Sequence, residues 1–501
     1  MPPHVPIRAF STLPPRLPKH TPRRRRVRAT LQSGQPLHET RPHLVQPGQL
    51  TPGISAAEYF SRRLRIANAL RSRSTSGSTS NSRPSSSSSS SSCPSILAIL
   101  AGNKVHYASG PVFYPFQQNT DLFYLTGWNE PDSIAVLELA PHEDEPILHM
   151  VVPRKDPYME LWQGARTGVQ GAMDIFNADS ALANDDPGLL QHIQSLVKRS
   201  DIIYYDGQWN NQYASTIQKA IDSVSFAYRN KTIYKDLSRL VAAQRVIKSS
   251  AELAVMARAS YASALSFNEA LSQSAFLSEK QLQSFLEYRF IQNGADKSAY
   301  VPVVASGSNA LCVHYTINDD LIYNDELVLV DAAGSYGGYC SDISRTWPAN
   351  ATGFTPAQKE LYQAVLNVQK QCILQSTQAS GHSLNDIHQL SVDLMVQELK
   401  NCGLASIDRS KINTLYPHYI GHNLGLDVHD APEYSRLKPL QENQVITIEP
   451  GVYVPDDPAY PEHFRNIGIR IEDDIRVGID DSQILTIDAV KEISDIESRL
   501  A

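Results

Sequence analysis

Residues 326–347 read ELVLVDAAGSYGGYCSDISRTW. The apolar run Val328-Leu329-Val330 delivers Asp331, a reversal follows through Gly334, Gly337 and Gly338, and the chain returns through Asp342. A hairpin centred between Tyr336 and Gly337 sets Asp331 opposite Asp342 on one face, with Cβ atoms roughly 5 Å apart. Two like charges at that range repel by about 1 kcal/mol in water and by more when buried. A strand that carries such a pair needs a cation between the carboxylates, or leaves both in solvent as turn aspartates.

Two further segments behave in the same way. In NQVITIEPGVY (443–453), Val445, Thr447 and Glu449 share one face and Ile446 and Ile448 the other. In NIGIRIEDD (466–474), Ile467, Ile469 and Ile471 alternate with Gly468, Arg470 and Glu472, so Arg470 and Glu472 project together. Either glutamate alone fits an edge-strand surface. Two strands that each bury isoleucine and turn glutamate the other way point to a shared site.

PHYIGHNLGLDVHD (417–430) adds His418, His422 and His429. The first two stand at i, i+4 as on a zinc-protease helix, but no glutamate follows the first histidine, and the two glycines disfavour a regular helix. His422 is therefore expected to be a ligand on an irregular or strand segment, with His418 and His429 as outer or substrate-facing groups. One imidazole with four carboxylates is an oxygen-rich set suited to Mn²⁺, Co²⁺ or Fe²⁺. A pair of such ions would balance four negative charges and supply a nucleophilic hydroxide at neutral pH.

The order Asp331, Asp342, His422, Glu449, Glu472 resembles the dinuclear ligand set of the pita-bread metallopeptidases. The flanks VDAAGSYGGYCSDISRTWP, LGLDVHD, TIEPGVY and GIRIEDD resemble the aminopeptidase P family within that group. The resemblance implies that these five residues hold two divalent ions, taken as Mn²⁺. It implies that Glu449 shuttles a proton, that His314 (in NALCVHY) and His429 face the scissile carbonyl, and that His418 and Arg470 orient substrate or ligands. Upstream, FYPFQQNTDLFYLTGWNEPDSIAVLE (113–138) resembles the N-terminal domain of the same family. GQPLHETRPHLVQPGQLTPGISAAEYFSRR (34–63) resembles its mitochondrial intermediate cleaving peptidase subgroup, which includes the mitochondrial Xaa-Pro aminopeptidases. The likeness covers about 34–70 and 96–495.

The implied fold is α/β (α+β). A creatinase-like, ribonuclease H-like α/β domain over 34–240 precedes a C-terminal pita-bread domain over 245–495. One departure stands out. Many bacterial members carry His-Gly-x-Ser-His before the histidine ligand, whereas this chain has HYIGH, with Tyr419 and Gly421, which bears on the pocket beyond the scissile bond.

Length and composition agree with two domains. The chain has 501 residues, 42% apolar and 19% charged, more than one ordinary core accommodates. A net charge of −7 gives no global attraction to nucleic acid. No apolar run approaches the roughly 20 residues of a membrane span. Five cysteines without a CxxC pair suit a reducing compartment and argue against a disulfide framework or a structural zinc site.

Residues 1–38 contain no acid but carry Arg8, Arg16, Lys19, Arg23, Arg24, Arg25, Arg26 and Arg28. This reads as a mitochondrial transit peptide over 1–33, the alternatives being a disordered basic tail or a nuclear address from RRRRVR. Residues 71–95, with eight consecutive serines, read as a disordered insert between the strand-like segments RRLRIANAL and ILAIL. Between 96 and 235, strands and helices alternate. Beyond 245 the helices lengthen and are well capped: Ser278 with Gln281, closing on Gly294, and Thr355 with Pro356 and Gln358. No short internal repeat is evident.

The expected function is a mitochondrial dinuclear-metal aminopeptidase, in the matrix or associated with the inner membrane. It removes one residue from imported proteins after presequence cleavage. The expected partners are N-termini of peptides or processed mitochondrial proteins, with no nucleic acid and no transmembrane segment, in a homodimer. The alternatives are a general Xaa-Pro aminopeptidase, in the nucleus or cytoplasm if the leader is not a transit peptide, and a non-catalytic pita-bread binding protein.

Overall fold

The computed structural model describes residues 32–76, 93–207, 210–227, 231–273 and 276–500. Most of the basic leader and residues 77–92 of the serine insert lie outside the described residues.

Helix α1 (Ala56–Ser76) opens the first domain. It contains RRLRIANAL, so that segment is a helix and not a strand, and the helix carries on through the first residues of the expected insert. Arg71 and Arg73 at its end are anchored, Arg71 on the Ala140 carbonyl at 2.7 Å and Arg73 on Asp236. The short R-L-R-I alternation imitates a strand, but Ile66, Ala67 and Leu70 share a helical face and are fully buried.

The domain is built on a six-stranded sheet: β1 (Ile96–Ala101), β2 (Ile134–Leu139), β3 (Ile147–Val152), β4 (Ser180–Ala183), β5 (Ile202–Tyr204) and β6 (Thr232–Tyr234). Their spatial order is β6-β5-β1-β2-β3-β4. The β1-β2-β3 meander is antiparallel, while β5 and β6 run parallel to β1, and β4 runs parallel to β3. This is the ribonuclease H-like mixed sheet. Every residue of β1 is buried because both faces are covered. Ile193 and Ile217 lie on helices over one face and Tyr59 and Ile66 of α1 over the other. The core under α1 continues into the second domain through Val255, Met256, Leu424 and Leu426. Helix α2 (Thr120–Thr126), capped by Asn119, lies at this junction.

The second domain repeats one unit. Helices α3 (Ser250–Ser272) and α4 (Glu279–Gln292) precede strand β7 (Leu327–Asp331), a hairpin over 334–340, and a return strand β8 (Ser344–Pro348). Helices α5 (Pro356–Gln375) and α6 (Leu384–Asn401) precede strand β9 (Val445–Ile448), a hairpin over 451–470, and a return strand β10 (Asp473–Arg476). Both return strands pair antiparallel with their outgoing partners. The unit escapes sequence inspection because its connections differ in length.

Helices start where their caps dictate. Thr355 and Gln358 form a reciprocal capping box. Ser278 caps Gln281, whose own side chain accepts instead from the Leu277 amide. Among the described residues no helix is long and apolar enough to cross a membrane.

Candidate metal centre

The carboxylates gather where each inserted hairpin leaves and rejoins its strand pair. Asp331 is the last residue of β7 and Asp342 lies two residues before β8; Glu449 directly follows β9 and Glu472 directly precedes β10. The expected register of the first hairpin is corrected. Tyr336 pairs with Tyr339 and Asp331 with Ser344, so the turn is Gly337-Gly338 and Asp342 is not opposite Asp331. Both turn glycines have positive φ, +59° and +90°, which moves the reversal one residue along the chain. The two carboxylates still converge, because Oδ1 of each lies 2.5 Å from the Tyr300 hydroxyl.

His422 arrives on an irregular segment laid along β9. Thr447 N–H donates to the His422 carbonyl and Glu449 N–H to the Ile420 carbonyl, at 2.9 and 2.8 Å. Gly421 permits this approach, since a Cβ there would stand 1.9 Å from the Thr447 carbonyl oxygen. The imidazole Nδ1 donates to the Asn423 carbonyl at 3.0 Å. Nε2 therefore faces Asp342 Oδ2 at 3.5 Å and Glu449 Oε1 at 3.7 Å. Ligating atoms of Asp342, His422 and Glu472 all lie within 4.8 Å of one another.

Arg470 closes the cluster on the other side. It donates to Asp331 Oδ2 at 2.8 Å, to Ser344 Oγ at 2.9 Å and to the Tyr453 hydroxyl at 2.8 Å. Ser344 donates to Glu472 Oε2 at 2.7 Å. Tyr453 lies 2.9 Å from His418 Nε2, while His418 Nδ1 donates to the Tyr419 carbonyl. Burial and the neighbouring Arg470 push the His418 imidazole down to about 4, so it is neutral and its Nε2 accepts from Tyr453.

His429 packs edge-on against His422, ring centroids 4.3 Å apart, and its pKa is lowered by burial and by the charges of His422 and His314. His314 is exposed on the loop after a 3₁₀ turn at Gly307–Leu311, apart from the carboxylate cluster but near enough to be felt at His429. All nine expected residues thus lie in or around one centre. Sequence reading missed Tyr300, Ser344 and Tyr453. Ser344, inside VDAAGSYGGYCSDISRTWP, and Tyr453, inside TIEPGVY, stand within recognisable motifs, whereas Tyr300 does not.

Residues 248–478 match the model of metallopeptidase family M24, and 59–204 match that of the aminopeptidase P N-terminal domain. Intermediate cleaving peptidase 55 of Saccharomyces cerevisiae is 50% identical over 94% of this chain and 89% of its own length. The chain belongs to metallopeptidase family M24. Its Arabidopsis thaliana relative, "Intermediate cleaving peptidase 55, mitochondrial", is 35% identical over 93% of this chain and 87% of its own. The crystal structure of Icp55 from S. cerevisiae (N-terminal 58 residues deleted) superposes with a TM-score of 0.80 at 47% identity, covering 90% of this chain and 98% of that one. This M24 member is a metallo-aminopeptidase of the aminopeptidase P type, and its chemistry uses divalent metal ions.

The residues of this M24 centre fit such ions. Four carboxylates face one guanidinium, in a setting where unpaired charge is costly. Tyr300 has one proton to offer two carboxylate oxygens, and His422 Nε2 stands against oxygens of both Asp342 and Glu449. The strain shows in the acid strengths. Burial, with Asp342, Glu449 and Asp331 alongside, pushes Glu472 well up. Burial likewise raises Glu449 to about 7 against the pull of His422 and Arg470. Burial alone would lower His422, but contact with Asp342 and the charge of Glu449 outweigh it and raise the imidazole to about 9. Each shift is what a carboxylate cluster short of positive charge produces.

Proposed function

We propose that this M24 metallopeptidase removes a single residue from the N-termini of imported mitochondrial proteins after their presequences are cut. The observation that carries the reading is the 50% identity to an intermediate cleaving peptidase over 94% of the chain, and the proximity of Asp342, His422 and Glu472 supports it. The protein works in the mitochondrion. In this reading the chain divides into an N-terminal part, 34–240, and a catalytic part, 245–495.

Asp331, Asp342, His422, Glu449 and Glu472 would hold two divalent ions, Mn²⁺ being the metal proposed. Such ions lower the pKa of a water to near neutrality and polarise the scissile carbonyl. Glu449, beside the reacting groups, would accept the proton of the attacking water and pass it to the leaving nitrogen. His429 and His314 donate to the carbonyl oxygen as it gains charge. Arg470 holds Asp331 and Ser344 in place, and neutral His418, braced by Tyr453, orients the substrate. The substrate's free α-amine pairs with the acidic cluster, which restricts cleavage to one residue at a time. Two copies acting as a homodimer belong to the same reading and are tested by sedimentation.

The deciding measurement compares N-termini of mitochondrial proteins with and without this protein. A set of proteins should begin one residue earlier when it is missing; unchanged N-termini would reject the processing role. Peptides beginning with Tyr, Leu or Xaa-Pro separate it from a general Xaa-Pro aminopeptidase, which would cleave only the last.

A further inference from the structure

We propose that Arg245 is a positioning residue that fixes His429 and makes the N-terminal domain part of the catalytic apparatus. The inference rests on the role assigned above to His429.

Arg245 is the last residue of the helix Leu237–Arg245, and it is buried. One guanidinium serves both domains. Toward the N-terminal domain, Nη1 donates to Thr120 Oγ1 at 3.0 Å and to Asp121 Oδ1 at 2.8 Å, at the start of α2. Toward the catalytic domain, Nη2 donates to Asp427 Oδ2 at 2.7 Å and to Asp430 Oδ1. The two acceptors bracket Val428 and His429. Thr120 donates in turn to Asp427 Oδ2 at 2.8 Å, so the two domains also touch directly within the fork. Lys248 holds the far oxygen of Asp430 at 3.1 Å.

The loop between these anchors is tightly wound. A Cβ on Gly425 would lie 2.4 Å from Asp430 Oδ2, and Asp430 N–H donates to the Asn423 carbonyl at 2.8 Å. His429 therefore has little freedom: its ring rests on the ligand His422, and the backbone on both sides is tied to one cation. A planar five-donor fork reaches four acceptors from two domains at once, which a lysine ammonium on a flexible stem does not. Neither family model spans this junction whole, since one ends at 204 and the other begins at 248.

The test uses the full chain loaded with Mn²⁺ and a synthetic peptide that the wild type cleaves. Arg245→Lys, His429→Ala and the double variant are compared in kcat, KM and metal content. Arg245→Lys should lower kcat about 10- to 100-fold with KM and bound metal unchanged. In the His429→Ala background the same change should have no further effect, because the two act as one unit. A drop that multiplies with His429→Ala, one that follows metal loss, or no drop at all overturns the inference. If Arg245→Lys does not fold, Asp121→Asn and Thr120→Ala cut the N-terminal legs of the fork. Thr120→Ala also removes the direct bond to Asp427, so Asp121→Asn is the deciding variant; it should give a smaller kcat loss that disappears in the His429→Ala background, and undiminished kcat rejects the idea. Full activity of His429→Ala itself removes the role of His429 instead, a separate failure from that of Arg245.

Discussion

Glu472 and Asp473 are neighbours in sequence, and both are buried, at 1% and 0% exposure, yet their surroundings are opposite. Asp473 accepts from Arg345 Nη2 at 2.7 Å, Lys491 Nζ at 2.5 Å, Gln369 Nε2 at 2.7 Å and Thr486 Oγ1 at 2.7 Å. Burial would raise its carboxyl, but Arg345 and Lys491 hold it far below the usual range. Glu472 has one hydroxyl donor, Ser344, and three carboxylates near it, so its carboxyl is driven the other way. A step of one residue along an extended chain turns the side chain to the other face. On one face the chain supplies its own cations. On the other, the cation must come from solution.

The largest effect should come from taking a ligand out of the unfinished face. Asp331→Ala should cut kcat/KM by at least about 10³-fold, as removal of several kcal/mol of metal-derived stabilisation requires. Metal analysis should show the ions lost with it, and full turnover by stripped protein would end the comparison. Next comes the finished face. Asp473→Ala leaves Arg345 and Lys491 buried without their partner and should destabilise the fold by about 3–5 kcal/mol in denaturant titrations. Because the folded Asp473 carboxyl is depressed, its contribution is present at neutral pH and is lost only as pH falls below its ordinary value of about 3.9. The variant should lose that part of the acid dependence.

Smaller effects sharpen the contrast. A divalent ion at 100 times its Kd should stabilise stripped wild type by about 2.7 kcal/mol, measured as a shift in Tm. Glu472→Gln should abolish most of that gain, which locates the missing cation on the Glu472 face. In the stripped state Glu472→Gln should itself be neutral or more stable by about 1 kcal/mol, since Gln brings no charge into a cluster where three other carboxylates disfavour it. A loss as large as that of Asp473→Ala would make the two faces alike. Tyr453→Phe removes the hydroxyl between Arg470 and His418 and should lower kcat about tenfold without changing bound metal.

Glu449 and Glu472 stand out in the sequence because each follows a short segment whose alternation separates a buried aliphatic face from an acidic one, whereas His422 stands out through histidine spacing and family resemblance. The mixed N-terminal sheet was legible as an alternation of strands and helices, and its ribonuclease H-like order came from family resemblance. The hairpin register was not. Two adjacent glycines can turn at either of two points, and the Gly337 amide of the observed turn donates to Asp296, 41 residues upstream. RRLRIANAL misled for a related reason: Arg62 looks like a surface residue, but in the fold it donates to the Tyr124 carbonyl and the Tyr339 hydroxyl. Partners for Asp473, Arg245 and Tyr453 are likewise supplied by distant segments, and local periodicity carries no trace of them.

The repeated helix-pair and strand-pair unit has a consequence for biogenesis. Half of the clustered carboxylates belong to each copy, Asp331 and Asp342 to the first and Glu449 and Glu472 to the second. A nascent or clipped polypeptide that ends before Glu449 owns a single aspartate pair and His422, with nothing across the seam to complete the cage. Uptake of metal would then act as a checkpoint for an intact catalytic half, and peptide-cutting competence would stay latent in any fragment that lacks the second unit.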